Sequence, residues 1–374
     1  MARFPLHDQF TDMHSRIALG DRALISIAAH VEVRGVLRAA RELLSHGLED
    51  VLIGSYARKV SIWPGKDVDV FGRLMRETED SIAPDVAYEK FGRALQPFAD
   101  QGRLTPQPRS YKIEFRPDEY PSEAAIRVAG QEYRWKSAQV ARAIEAKDRL
   151  QFEFSVDVVP AVRSGDHYGI PETGRIAATG DRYRTGRWRI TSPVVLTDLT
   201  QRRNRTPTIG RVGAFVRTIK TIKQIKNHHL RDSKPGFLYY EFLLHDGFAE
   251  GAISGDSWAD VTASALSYIA SRVREAPNRP ACDPVLDEPY RPAPSAVELA
   301  SSLTVLDDLA ARAARAVASD RLCAAAAEWR SILGKNERDG HVFPLPRGCR
   351  ETGAAMGAAA VNVASGGTAE RSFG

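Results

Sequence analysis

The chain has 374 residues, 43% of them hydrophobic and 26% charged, which is ordinary for a soluble globular protein and long enough for two domains or one large one. No run approaches the roughly 18 apolar residues of a membrane span, and the opening MARFPLHDQFTDMH holds no apolar signal core, so the chain reads as cytoplasmic with no membrane partner. The formal net charge of +5 and the pI of about 9.1 favour anionic partners, although an excess this mild serves solubility alone equally well. Cys282, Cys323 and Cys349 form no CxxC or zinc spacing, so free thiols in a reducing compartment are expected instead of a disulfide framework.

Apolar residues recur at three- and four-residue spacing at Ile17, Leu24, Ile27, Val31, Val36, Leu37, Leu43 and Leu44. This predicts a helix over 15–48, with Gly47 as its stop. The stretch 51–71, VLIGSYARKVSIWPGKDVDVF, reads as a strand, a Gly54-Ser55 turn, a short helix and a second strand carrying Asp67 and Asp69. Gly lets backbone approach a ligand, N–H groups at a helix start favour phosphate, and Ser55 adds a hydroxyl. Most Gly-Ser pairs are no more than turns. Residues two apart on a strand share a face, so Asp67 and Asp69 present two carboxylates to one point. Such a pair is costly without a positive charge between its members, and a divalent metal carrying a nucleoside triphosphate is the natural one.

Downstream, 83–101 patterns as a helix, 107–115 as a strand, 125–134 as a further strand and 137–147 as a short helix. The run 151–162, QFEFSVDVVPAV, is β-rich with Asp157 in its middle. A charge inside an apolar strand is rarely without a partner or a function. Alone, Asp157 reads as a salt-bridged strand residue; with Asp67 and Asp69 it reads as the third carboxylate. Residues 166–191 read as loop, within which a basic block begins that runs from Arg182 through Lys226. A helix over 208–229 turns Phe215, Ile219, Ile222 and Ile225 to a core and sets Lys220, Lys223 and Lys226 on a neighbouring stripe. That stripe is either a solvated basic face or a hold for triphosphate. Lys220 is the first choice for that hold, and Lys234, just before a helix over 237–248, is the second. Helices over 256–274, 295–319 and 320–333 follow, with a Pro-rich extended connection among them. The Gly/Ala/Ser/Thr-rich end reads as a disordered tail.

Three carboxylates, a phosphate turn and a basic helix make one coherent site. Two magnesium or manganese ions, about 4 Å apart in sites of this class, would be held by Asp67, Asp69 and Asp157. Asp157 is suited to orient or deprotonate an attacking ribose hydroxyl. Gly54, Ser55, Lys220 and Lys234 would bind phosphates, and most of the catalysis would be positioning and charge neutralisation.

GSYAR, then DVDVF with Asp67 twelve positions after Ser55, then FEFSVDVVPAV, resembles the nucleotidyltransferase superfamily that includes DNA polymerase β. Within it the layout resembles the bacterial cyclic GMP-AMP synthase-like and dinucleotide-cyclase-like enzymes, the CD-NTases of SMODS type. VRTIKTIKQIKNHH followed by KPGFLYYEFLL is similar to that family's lysine helix and the helix after it, and AAAAEWRSILG with VFP is similar to its ending. The family often has Ser next to the position of Lys234, where this chain has Pro235-Gly236. The resemblance covers roughly residues 15–345. It implies an α+β fold: a polymerase β-like nucleotidyltransferase core with a mixed sheet over 1–200, the helix over 15–48 packing along both lobes, a helical second lobe over 201–346, and the tail over 347–374. It further implies that NTPs, ATP first among them, are joined into a cyclic di- or trinucleotide or an oligonucleotide second messenger with release of pyrophosphate. The setting would be CBASS-type anti-phage signalling, with a regulatory protein or ligand as activator. Template-independent RNA or tRNA nucleotidyl transfer uses the same core and would bind nucleic acid through the basic block 182–226; it is the less favoured reading. Nucleotidylation of an antibiotic or a protein is another. A catalytically inactive nucleotide-binding module would lack a carboxylate, and none of the three is missing.

Overall fold

The computed structural model describes residues 1–65, 67–175, 182–231 and 233–355. The chain divides into two compact units, one Ala18–Arg202, the other Met1–Ile17 together with the chain from Arg203 onward. Helices are numbered through the chain. Of α1 (His7–Arg16), α2 (Arg22–Ala39), α3 (Arg41–Ser45), α4 (Gly54–Ala57), α5 (Pro84–Ala94), α6 (Gln96–Ala99), α7 (Glu123–Glu132), α8 (Ser137–Arg149) and α9 (Pro193–Arg205), the first belongs to the second unit and the last ends in it.

The unit Ala18–Arg202 is built on a mixed sheet. Its strands are β1 (Leu48–Ile53), β2 (Asp67–Thr78), β3 (Leu104–Pro106), β4 (Tyr111–Phe115), β5 (Phe154–Ser164), β6 (His167–Arg175) and β7 (Arg182–Thr191). They lie in the order β1-β2-β5-β4-β3, with β6 on the far end of β5 and β7 beside β6. The β2–β5 pair is parallel and the other pairs are antiparallel. This is the α+β class expected.

Strand alternation sorts the two faces. Val70, Leu74, Ile113, Phe115, Val156, Val158 and Val162 point into one core with Ile25, Ala29, Val33 and Leu37 of α2 and Ala87, Tyr88 and Phe91 of α5. The four-residue spacing on α2 is the core stripe of a buried helix face. Its other side packs Ala28 and Val31 against Ile126 and Ala129 of α7 and Ala143 of α8, so α2 is apolar on two sides. Gly72 faces the core, where a Cβ would meet the Phe91 ring at 2.3 Å; the missing side chain lets α5 lie close on the sheet.

Three local expectations need correction. The helix expected over 15–48 is α1, α2 and α3, broken around Gly20 and again at Ala40, whose backbone is extended. Residues 125–134, read as a strand, lie in α7 and the turn after it. The Ser122 side chain caps that helix by accepting from the Ala125 N–H at 3.2 Å, and Ile126 and Ala129 supply a helical period of burial. The loop expected over 166–191 contains the β6–β7 hairpin.

The second unit holds α10 (Phe215–His229), α11 (Phe237–Ala249), α12 (Trp258–Glu275), α13 (Ala296–Ala318), α14 (Leu322–Leu333) and a short hairpin of β8 (Lys335–Asn336) and β9 (Gly340–His341). α10 begins later than the 208 expected, because Ile209 and Val212 pair in a tight turn first. Ser295 and Glu298 close a capping box at the start of α13. On α1, Phe10 packs edge-on against Trp329 and Phe343, with ring centroids at 5.3 and 5.2 Å. Two of the three cysteines are not free. Cys323 and Cys349 form a disulfide, with Cα atoms 5.1 Å apart and a sequence separation of 26; Cys282 is the free thiol. The expected tail therefore does not start at 347. Residues up to 355 fold back on α14, with Gly353 against Ala324 and Arg350 and Ala354 hydrogen-bonded, while the rest of the tail, 356–374, lies outside the described residues. Among the described residues no helix is long and apolar enough to cross a membrane.

Candidate functional site

β1 carries the chain to Gly54, and β2 brings it back so that Ile53 stands opposite Asp69. Gly54 has a φ of +70°, and a Cβ there would lie 1.8 Å from Asp69 Oδ2. Only glycine lets this turn close on that carboxylate. The Ser55 hydroxyl shares a 2.9 Å hydrogen bond with Ser61 Oγ, and the Ser55 carbonyl accepts from the Val60 N–H at 2.9 Å. These bonds lock the turn internally.

The parallel β2–β5 ladder brings in the third carboxylate. Asp69 is in register with Asp157, and Asp67 with Ser155, so all three aspartates lie on the sheet face away from the α2–α5 core. Asp67 is exposed; Asp69 and Asp157 are half-buried. Burial first, and then the charge on Asp67, push the Asp157 carboxyl up to about 6 from its ordinary 3.8, against a hydrogen bond from Ser155 and the nearby Lys112 ammonium. Asp157 Oδ1 is buried with no hydrogen-bond partner. A carboxylate with an unanswered oxygen, next to a second carboxylate, is short of positive charge.

Among the described residues no three His, Cys, Asp or Glu side chains are gathered tightly enough to enclose an ion. Asp69 turns Oδ2 to Gly54, and Asp157 feels the charge of Asp67. The donor set is nonetheless all oxygen, which suits a hard divalent cation, and the orphaned Asp157 oxygen is the atom such a cation would answer. The residues fit the metal on that ground.

Sequence reasoning missed Ser155, whose only signal is its place two positions before Asp157. It also missed Lys112 and Glu114. Their alternation in YKIEF is visible, but their neighbours depend on strand register, in which Lys112 is the partner of Asp157.

In the second unit, Arg217, Lys220 and Lys223 recur at three-residue spacing on α10. The Arg217 guanidinium stands 5.0 Å over the Trp258 ring, and Lys223 Nζ 5.6 Å over Phe237. Burial, then the charges of Arg217 and Lys223, hold the Lys220 ammonium below the ordinary lysine range. His14 of α1 joins this row, sharing a 3.1 Å hydrogen bond with Thr221 Oγ1 and packing edge-on against Trp258. Burial together with Arg217 and Lys220 holds its imidazole down at about 3, so it stays neutral. The row sets three cations along one side of α10, Arg217 exposed and Lys220 and Lys223 half-buried. Lys226 is turned elsewhere, its Nζ donating to the Arg231 carbonyl. Lys234 is exposed, and its carbonyl accepts from the Ser302 hydroxyl at 3.1 Å.

The basic block is less open than its composition suggests. Arg184 pairs with Asp85 at 2.7 Å and stacks 3.9 Å over Tyr88. Arg187 pairs with Glu172 at 3.0 Å, and Arg203 donates to His245 Nδ1 at 3.0 Å.

No protein-family model matches this sequence, and no curated protein sequence does. Solved structures do. CdnC of E. coli MS115-1, solved with ATP, superposes with a TM-score of 0.59 at 13% identity, over 90% of this chain and 98% of that one. The CD-NTase CdnG of Bradyrhizobium diazoefficiens, in complex with GTP, gives 0.56 at 13% identity, over 83% and 91%. A mutant of the di-nucleotide cyclase DncV of Vibrio cholerae gives 0.53 at 12% identity, over 92% and 90%. This chain has the fold of the bacterial CD-NTases, and it carries Asp67, Asp69 and Asp157 on one face of that fold's sheet.

Proposed function

We propose that this protein is a metal-dependent nucleotidyltransferase that joins NTPs, ATP first among them, into a cyclic di- or trinucleotide or a short oligonucleotide messenger, releasing pyrophosphate. The observation that carries the reading is the buried, unpartnered Oδ1 of Asp157, a residue near Asp67 and in register with Asp69, in a fold shared with proteins solved with ATP and GTP. Asp67, Asp69 and Asp157 would hold magnesium or manganese, which when bound would neutralise the triphosphate and acidify the acceptor hydroxyl. Asp157, fixed by Ser155, orients that hydroxyl and accepts its proton. The Gly54-Ser55 turn lets a phosphate approach the backbone beside Asp69; Lys220 and Lys234 would contact the triphosphate, as the sequence resemblance implies. The role would be messenger synthesis in anti-phage defence inside the cell, switched by a regulatory protein or ligand, as the sequence resemblance implies. The pairing of Arg184, Arg187 and Arg203 disfavours an RNA acceptor bound along the basic block.

The test is incubation with α-³²P-labelled NTPs and Mg²⁺ or Mn²⁺, followed by phosphatase. Phosphatase-resistant products that vanish in Asp69→Asn support the reading. Label transferred only to added RNA would overturn it in favour of a terminal RNA transferase, and products that persist in Asp69→Asn would overturn the site.

A further inference from the structure

The face that bears the aspartates does not end at β5. β4 buries Tyr111, Ile113 and Phe115 in the core, so Lys112 and Glu114 stand on the aspartate face. Register puts Lys112 beside Asp157 and Glu114 beside Ser155. Directly opposed residues have Cβ atoms about 4.5–5.5 Å apart, and the Asp157 carboxyl feels the Lys112 charge. Lys112 Nζ donates to Glu114 Oε1 at 2.7 Å, and Glu114 Oε2 accepts from Arg116 at 3.0 Å. The lysine is thereby held on the face, with about a third of its side chain exposed, 35%.

The sheet order turns this into a reading of direction. Across the face, the turn at Gly54 follows β1, Asp67 and Asp69 sit on β2, Asp157 on β5 and Lys112 on β4. In the reaction proposed above, the donor triphosphate lies toward the turn, and the attacking hydroxyl is taken by Asp157. The acceptor must therefore come from the far side of Asp157, which is the β4 side. A cation beside a carboxylate that is to bind metal works against that metal unless an anion arrives to offset it. An exposed Lys–Glu pair is worth too little for stability to explain the placement.

We propose that Lys112 binds the acceptor nucleotide, taking an anionic phosphate oxygen of a second NTP or of a linear dinucleotide, and that Glu114 holds it aimed until that phosphate arrives. This rests on the nucleotidyltransferase reading. It assigns Lys112 to the acceptor and not to the donor.

Two ATP analogues separate these roles. α-³²P-labelled 2′,3′-dideoxy-ATP can donate but has no hydroxyl to attack with. α,β-Methylene-ATP keeps its hydroxyls but cannot donate. Initial rates of joining, with each varied in turn, give separate KM values for wild type, Lys112→Met, Lys112→Arg and Glu114→Gln. Lys112→Met is expected to raise the acceptor KM 10- to 100-fold, the worth of one charge-assisted contact, and to leave the donor KM within about twofold. Lys112→Arg should recover most of the loss, and Glu114→Gln should give a smaller rise of the same kind. An unchanged acceptor KM in Lys112→Met, or equal rises for donor and acceptor, would overturn the assignment. Equilibrium binding of α,β-methylene-ATP in Ca²⁺ is measured alongside. If wild type binds it, Lys112→Met does not, and no nucleotide is ever joined, the synthase reading alone fails. If nucleotides are joined and Lys112→Met is indistinguishable from wild type, the Lys112 assignment alone fails.

Discussion

Asp157→Asn should make the metal-free protein more stable while abolishing its chemistry. Burial and the Asp67 charge raise the Asp157 carboxyl to about 6 from 3.8. A group whose folded value is raised binds more protons in the folded state than in the unfolded one, so the fold loses stability as pH rises from about 4 through about 6. The full cost, present at pH 8, is about 3 kcal/mol. Asn keeps the shape and removes the charge, and it brings an amide donor to the carboxylate next door. A gain of about 1–3 kcal/mol is expected at pH 8, which is several degrees of melting temperature for a body of this size. Thermal scans of both proteins in EDTA, from pH 8 down to pH 4, check it. The gap should be widest at pH 8 and close towards pH 4, where wild type is itself protonated. A gap of the same size at both ends, or a variant less stable than wild type at pH 8, would refute the account of Asp157 as a carboxylate held charged at a cost. Adding Mg²⁺ with a non-hydrolysable NTP should raise the wild-type melting temperature and leave Asp157→Asn nearly unmoved.

Gly54→Ala places a Cβ 1.8 Å from Asp69 Oδ2 on a backbone with φ of +70°; it should cost about 1–2 kcal/mol for the backbone alone and eliminate activity. In the Asp69→Ala background the clash is gone, so the double-mutant cycle should show a coupling of at least about 1 kcal/mol; additive losses would refute the close approach. Lys220→Met removes a charge that Arg217 and Lys223 repel, so the nucleotide-free protein should melt higher and the melting gain from an added NTP should shrink at least tenfold in apparent affinity, read by thermal shift titration. Thiol labelling of the unfolded, unreduced protein should modify Cys282 alone, and all three cysteines after reduction. Breaking the Cys323–Cys349 link with Cys349→Ser should cost about 3 kcal/mol, measured by denaturant titration without reductant; equal midpoints would count against the pairing.

Much of the aspartate face was legible from local rules. Period-two alternation is enough to put Asp67 and Asp69 on one side of a strand, and an aspartate inside FSVDVV stands out against its own surroundings. What local rules could not supply was partnership. That Asp157 stands opposite Asp69 follows from a parallel pairing between distant strands, and Lys112 acquires meaning only once β4 is laid beside β5. The 125–134 segment misled because Ala, Ile and Val serve either period, and the Ser122 cap with burial against α2 decided for helix. The β6–β7 hairpin was hidden by glycine and arginine content, which marks loops by composition while its strands are held by ladder bonds at the sheet edge. The disulfide was invisible because cysteine spacing carries no information about a fold-back onto α14.

The β2–β5 ladder also has a consequence for how the protein comes to exist. It joins Asp69 to Asp157, 88 positions apart by their numbers, and α5 to α8 with β3 and β4 lie between them in the chain. Loop closure over such a span is slow, and contacts of this range form after local ones. The carboxylates that repel one another are therefore brought together by the last and most distant pairing of the sheet. A nascent or partly folded chain has two of the three aspartates on a loose hairpin and no site. The three-aspartate face arrives in one step, with the completed sheet.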